Sequence, residues 1–289
     1  MKKRLAFTLI IILLFSFVAC NNSTTNEINK DFESNDDIVY PSDKVIIGTM
    51  EIDPFMYFEN GEMVGPNIDI VSTALDNIGY EYEFMILPWS RLLVSAKSGD
   101  IDMAYALYDS PERREYLHYI QEPIGLEELS IFVPTGSNIT FDGNLSQLSE
   151  YRIGIVQDYF YTEQFHNAIN SGLLITDKTT STENNIEKLL NDRVDLIIEN
   201  EALVKHYLKT RGLENQLEAL EVPLSFNYSY ITFSKVNLND DLRQKLNLEL
   251  KDMKADGSFY KIFNNHGMDY YSESFKAREL INPPPEIKP

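Results

Sequence analysis

Cysteine is nearly missing from this sequence: Cys20 is the only one in 289 residues. No intrachain disulfide can form, so any fold must stand on its apolar core. Histidine is scarce as well, and His118, His166, His206 and His266 are scattered without metal-ligand spacing. Positive charge is in deficit, with 25 Lys and Arg against 45 Asp and Glu and a formal net charge of −20. That balance argues against nucleic acid as a partner and against adsorption to an anionic membrane surface. Neither a Gly-x-Ser-x-Gly elbow nor a phosphate-cradling glycine loop occurs. With so many acids, close pairs such as Glu199 and Glu201 arise by chance, and a solvated surface is their default reading. The chain is not expected to be an enzyme or to carry a metal or cofactor.

What is present is apolar and aromatic. The chain is 43% hydrophobic, with 17 Tyr and 16 Phe, enough for one large domain or two lobes. Met1-Lys2-Lys3-Arg4 precedes an uncharged apolar run over 5–18, and Ala19 then precedes Cys20. This pattern predicts a leader over 1–19. FVAC resembles the lipobox of bacterial lipoproteins, with Phe17 where leucine is usual, so Cys20 is the expected lipidation site. The protein is then extracytoplasmic, tethered to the bacterial cell membrane by that lipid. Residues 20–42 are polar and acidic and read as a flexible stalk. The closing NPPPEIKP cannot continue a helix.

Between these ends the pattern alternates. Strands are predicted at 45–49, 82–87, 102–107 and 128–134, with helices at 68–79 and 88–99 closing on Gly79 and Gly99. A second unit repeats the grammar, with strands 152–156 and 194–199 and helices 161–172, 182–193 and 200–212. Strand 228–234 returns to the first unit before a long helix over 237–257. Such alternation predicts parallel α/β sheets, in which ligands bind beyond the carboxyl ends of strands. Glu51, Arg113, Gln157 and Asn200 all follow strand ends and converge on one cleft between two lobes.

In YDSPERREYLHY (108–119), Ser110 reads as an N-cap, Pro111 as the first helical residue and Glu112 as the acid of the first turn. Arg113 then sits where helix N–H groups already carry partial positive charge, and a cation there is misplaced unless an anion joins it.

The ordered motifs GT…PF…NGEMVGPNIDIV, PWSRLLVSAKSGDIDMA, SPERREYLHY, RIGIVQ, NDRVDLIIEN and ELKDMKADGSFYKIFNNHG resemble extracellular solute-binding protein family 3, the receptors of polar amino-acid ABC importers. The resemblance implies a two-lobed type II periplasmic-binding-protein fold of the α/β class with a two-segment hinge. Lobe 1 would comprise 43–132 and 225–271, lobe 2 would comprise 133–224, and 272–289 would be a tail. It further implies a monomer that captures a small polar ligand bearing a carboxylate and delivers it to permease and ATPase subunits. The alternatives on this fold are a ligand-sensing receptor for a signalling partner or, more rarely, a dehydratase.

The family's Thr/Ser-x-x-Arg motif falls on Ser110-Pro111-Glu112-Arg113, so the resemblance gives the ligand's carboxylate to Arg113 in a bidentate pair. Arg114 is left as a solvated partner of Glu112 or Glu115. Trp89 matches a wall of the cleft, Glu51 and Phe55 a pair covering the ligand, and Ala106 and Tyr108 positions flanking it. Gln157 and Tyr159 fall at the turn after RIGIV. Two departures stand out. Asn200 replaces an aspartate that takes the ligand's ammonium in relatives, and Asp158-Tyr159-Phe160-Tyr161 replaces a small hydroxyl-bearing turn. Together they predict a ligand other than a standard amino acid, or an altered pose.

Overall fold

The computed structural model of the protein describes residues 44–287; the expected leader, Cys20 and the whole of the stalk therefore lie outside the described residues. The apolar runs become strands of one ten-stranded sheet, and a separate two-stranded hairpin stands beside it. In chain order the first elements are β1 (Val45–Thr49), β2 (Tyr57–Glu59), β3 (Glu62–Val64), α1 (Pro66–Ile78), β4 (Tyr82–Ile86) and α2 (Trp89–Ser98). Next come β5 (Met103–Tyr108), the single turn α3 (Pro111–Arg114), β6 (Leu117–Tyr119) and the ten-residue β7 (Gly125–Pro134). β8 (Arg152–Val156), α4 (Glu163–Asn170), β9 (Ile175–Thr179), α5 (Thr182–Leu190), β10 (Leu196–Asn200), α6 (Glu201–Arg211) and β11 (Leu217–Ala219) follow. The ten-residue β12 (Ser225–Ser234) and the helices α7 (Asp240–Asp256), α8 (Ser258–Asn265) and α9 (Asp269–Ile281) complete the chain. None of the described helices is long and apolar enough to cross a membrane.

Strand order is β4-β1-β5-β12-β7-β10-β8-β9, with β6 on β12 and β11 on β7. Both ends are parallel as expected: β1 pairs in parallel with β4 and β5, and β8 with β9 and β10. The middle corrects the all-parallel expectation, because β7 and β12 are antiparallel to each other and to β10 and β5. Each of these long strands serves both sides. β7 pairs with β12 over Gly125–Leu129 and with β10 beyond it. β12 pairs with β7 over Ser225–Ser229 and with β5 and β6 beyond it. Among the described residues, two antiparallel strands are thus the only sheet connection between the β4-β1-β5 and β10-β8-β9 ends, the architecture of a two-segment hinge joining two lobes. Both were predicted three residues short at their starts. The polar residues Glu127, Ser225 and Asn227 interrupt the apolar pattern there, and a strand crossing between lobes faces no uniform core.

Helices cover the sheet ends. Ile70, Leu246, Phe259 and Phe263 pack α1, α7 and α8 on Ile47 and Phe233. On the other side Phe165 of α4 packs with Ile153 and Ile198, while Ile186 and Val204 of α5 and α6 pack on Ile197 and Phe132. The expected tail over 272–289 opens inside α9, whose Phe275 and Ser272 are buried. The predicted 237–257 helix begins later, at Asp240, because Asn239 accepts the N–H of Leu242 as an N-cap (3.0 Å).

Candidate functional site

At the centre of the sheet, side chains from both lobes close around a cavity with about 70 Å³ of room for water-sized molecules. Its position follows from where strands stop. β10 ends at Asn200, which pairs with Leu129, so β7 from Glu127 back to Gly125 has no strand on that side. β5 ends at Tyr108, opposite Ser229 of β12. Beyond these ends the chain turns into α6 and α3, and the loops carry their side chains over the gap.

Arg113 is 5% exposed. Ser110 caps its N–H (3.3 Å), and its guanidinium donates to the carbonyls of Tyr108 (3.1 Å) and Asp158 (3.2 Å). It lies 5.0 Å from the centre of the Trp89 ring. Among the described residues it makes no ion pair with a carboxylate. A guanidinium has five N–H donors, so donors remain for a further acceptor. The helix-end argument is weaker than the sequence implied, because α3 is one turn of four residues with little summed dipole. The charge of Arg113 itself is the attraction.

Arg114 departs from expectation. It pairs with Asp109 through both Nε (2.6 Å) and Nη2, not with Glu112 or Glu115. The short link between β5 and α3 sets Asp109 alongside the guanidinium, which is a local geometry no linear spacing announces.

Trp89 opens α2 and sits at the lobe interface. Its indole N–H donates to the Asp158 carbonyl (3.1 Å), and its ring meets Tyr159 edge-on at 5.5 Å. Asp158 holds φ 62, a left-handed conformation that costs a non-glycine residue energy. That conformation aims its carbonyl at Arg113 and Trp89 together. Ala106, at φ 62 in a bulge of β5 where the register with β12 slips, also lines the cavity.

Phe55, Tyr108, Tyr159 and Asn200 line the cavity as well, so six expected residues beside Arg113 come together: these four, Trp89 and Ala106. Two do not. Glu51 is exposed and faces the wider outer groove with Asp53 and His206. Gln157 is exposed on the far side of Arg113, because its backbone N–H continues the β8–β9 ladder by donating to Thr179 (2.8 Å) and its side chain alternates outward. Asn200 needs a correction of role. Its Oδ1 accepts the N–H groups of Ala202 (2.8 Å) and Leu203 (3.3 Å), capping α6, and so is not free to accept from an ammonium.

Sequence reasoning missed two groups of residues here. The first is the acids. Glu127 and Glu199 are 8% and 2% exposed, and both line the cavity. Glu127 accepts from Ser229 Oγ (3.2 Å) and from Asn200 Nδ2. Glu199 accepts from Asn185 Nδ2 (2.7 Å) and Thr182 Oγ1 (3.0 Å). Burial pushes each carboxyl up to about 7, against the lowering effect of those hydrogen bonds. The same burial, and then the neighbouring Glu127 charge, raises the Tyr108 phenol. Glu199 therefore overturns the solvated reading, whereas Glu201 takes Lys205 and Ser130 as partners nearer the surface. Glu127 stands beside Glu128 at the start of β7, and the linear pattern does not mark which of the two is buried.

The second is Asn67, 5% exposed, in the first turn of α1. Gly65 precedes it at φ 126, and a Cβ there would stand 2.4 Å from the Phe55 carbonyl. This close approach lets the Asn67 N–H reach that same carbonyl (3.2 Å) and sets Asn67 beside Phe55 on the cavity wall. Among the described residues no three His, Cys, Asp or Glu side chains group to hold a metal ion.

With this geometry in view, comparison places the chain among known proteins. Residues 45–269 match the family model of bacterial extracellular solute-binding proteins, family 3. The probable amino-acid-binding protein YxeM of Bacillus subtilis is 20% identical over 96% of this chain and 98% of its own. The arginine-binding extracellular protein ArtP of the same organism is 22% identical over 91% of this chain and 96% of its own. The fold is similar to the arginine-, lysine-, histidine-binding protein ArtJ of Geobacillus stearothermophilus, with a TM-score of 0.66, 24% identity, and coverage of 82% of this chain and 99% of that one.

Proposed function

We propose a receptor function for this chain, which belongs to the bacterial extracellular solute-binding proteins, family 3. It captures a small polar ligand bearing a carboxylate, an amino acid or a derivative of one, by closing its two lobes. It then delivers that ligand to the permease and ATPase of an ABC importer. One observation carries the reading: Arg113 is a buried guanidinium in the interlobe cavity whose described partners are neutral carbonyls. A planar fork with donors to spare and no countercharge is complementary to a carboxylate. The B. subtilis relatives, one an arginine-binding protein and one a probable amino-acid-binding protein, support the ligand class.

In this reading lobe 1 spans 43–132 and 225–271, lobe 2 spans 133–224, and β7 and β12 flex between them. Trp89 and Arg113 on one side grip the Asp158 carbonyl on the other, and ligand entry exchanges that grip for the carboxylate. The chain acts as a monomer, held outside the cytoplasm by a lipid on Cys20. Turnover has no place in it: the ligand leaves unchanged.

The test is calorimetric titration of the purified chain with amino acids, small peptides, opines and organic acids. Arg113→Ala should remove binding of every carboxylate that the wild type takes. Arg113→Lys keeps the charge but loses the fork, and should weaken binding about tenfold or more. Wild-type affinity in Arg113→Ala would overturn the reading.

A further inference from the structure

Successive side chains of a strand point to opposite faces, and the two hinge strands use both faces. Glu127 of β7 faces the cavity; Leu126 and Glu128, with their partners Tyr228 and Phe226 on β12, face away from it. The rear face is taken by α9. The Arg278 guanidinium lies 3.4 Å from the centre of the Phe226 ring, and the Tyr228 hydroxyl donates to the Asn282 carbonyl at the end of the helix (2.6 Å). At the other strand the Leu126 N–H donates to the Tyr271 hydroxyl (2.9 Å). One helix therefore holds both hinge strands. That helix is itself fixed to lobe 1: Phe275 is buried against Phe259, and Glu279 takes both Lys254 (2.6 Å) and the Tyr260 hydroxyl (2.6 Å). It starts at Asp269, where the family-model match ends, so that match assigns it no role.

Toward lobe 2 the helix stops short. Tyr270 and Ser274 of α9 face Ala202 and Lys205 of α6 across a gap with about 90 Å³ of room for water-sized molecules, floored by Glu128 and Phe226. This gap and the cavity lie on opposite faces of the same two strands, so a rotation that narrows one widens the other. In this structure the front is gripped, with Trp89 and Arg113 on Asp158, and the back stands open.

Resting on the lobe closure of the receptor reading, we propose that α9 is a brace behind the hinge and that the gap between α9 and α6 sets the balance between open and closed lobes. Affinity then depends on residues that never touch the ligand. Ser274 is exposed and small, so it leaves the gap free to narrow as the lobes open at the front. Arg278 and Tyr228 hold β12 in the course it takes when the front is gripped. A receptor whose closed form is only fractionally populated loses apparent affinity by that fraction, so bulk that keeps the back open raises affinity and loss of the brace lowers it.

The experiment uses the full chain, and its first arm needs no ligand. Ser274→Phe fills the gap from the helix side, whereas Glu273→Phe puts the same ring on an exposed neighbour that does not line it. In small-angle scattering the ligand-free Ser274→Phe chain should show a smaller radius of gyration than the wild type. Its Trp89 emission should move to shorter wavelength as the cleft closes over the indole. Glu273→Phe should match the wild type in both. The second arm is calorimetric titration with the common L-amino acids. Ser274→Phe should tighten every binding that occurs by about 3- to 10-fold, and Arg278→Met, which releases Phe226, should weaken it by a similar factor. A helix that only completes the core of lobe 1 would lower the melting temperature of Arg278→Met and leave its affinities at wild-type values. That pattern overturns the proposal, as does a Ser274→Phe chain that matches Glu273→Phe or expands. If no amino acid binds while Ser274→Phe still contracts, the receptor reading loses its support and the brace stands.

Discussion

Two arginines adjacent in sequence end in different chemistry. Arg114 finds Asp109 and is neutralised by it; Arg113 finds carbonyls and an indole face, and keeps its charge for the cavity. The acids sort in the same way. Glu201 pairs with Lys205, whereas Glu127 and Glu199 are buried with neutral partners and ionise at about 7, above the ordinary 4.5. That shift has a consequence for stability. Between pH 4.5 and about 7 the folded chain keeps protons that the unfolded chain has released, so ligand-free stability falls as pH rises through this window. Below 4.5 both states are protonated and the effect is absent. Glu127→Gln carries no such proton, so its melting temperature should gain on the wild type as pH goes from 4.5 to 8. Parallel melting profiles for the two chains across that range would refute the linkage. The serine-x-x-arginine spacing made Arg113 readable from sequence. Glu127 and Asn67 were not, because burial and the lack of a partner are properties of packing.

Among the elements, the hinge strand β7 is tightly packed at its start. Its first residue, Gly125, leaves no room for a side chain: a Cβ would stand 2.4 Å from Ser229 Oγ, 2.9 Å from Glu127 Oε1 and 3.0 Å from the Tyr271 hydroxyl. The next residue, Leu126, donates its N–H to that Tyr271 hydroxyl (2.9 Å), so α9 braces the strand from behind. Gly125→Ala should therefore destabilise by roughly 1–3 kcal/mol in urea unfolding, the usual cost of overpacking. Adding Ser229→Ala should recover part of that loss by vacating the tightest contact. An unchanged midpoint for Gly125→Ala would mean the strand yields easily. The short turn α3 depends on its cap in a simpler way. Ser110→Ala removes the acceptor of the Arg113 N–H and should cost about 1 kcal/mol, with weaker ligand binding as Arg113 loses its seat. The α9 brace illustrates what a linear reading overlooks. Tyr271 also meets Phe55 edge-on at 5.0 Å, which joins the last helix to the first loop of the cavity.

At the scale of the whole molecule, the chain's single tryptophan stands at a polar contact across the cleft. Trp89 donates to Asp158 across the cleft and lies against Tyr159 and Arg113, so any change in lobe spacing alters its surroundings. A compound that binds in the calorimetric screen should shift the intrinsic tryptophan emission, and Trp89→Phe should abolish the signal. Small-angle scattering should register a smaller radius of gyration on binding, as hinge closure requires. Binding with neither change would leave the lobes without a closing role.

Sequence alone determined the α/β class, the alternation of elements, the two parallel sheet ends and the position of Arg113 at a strand end, because periodicity and capping act over a few neighbouring residues. It determined equally that one tryptophan and no disulfide would serve the folded part. Tertiary structure decided that β7 and β12 run antiparallel through one sheet, that Arg114 turns away to Asp109, and that Glu51 and Gln157 face outward. It also decided that Asn200 spends its oxygen on a helix while Glu127, Glu199 and Asn67 bring their acceptors to the cavity. Those outcomes depend on which segments and side chains meet in the folded chain, and on what each buried polar atom finds when they do.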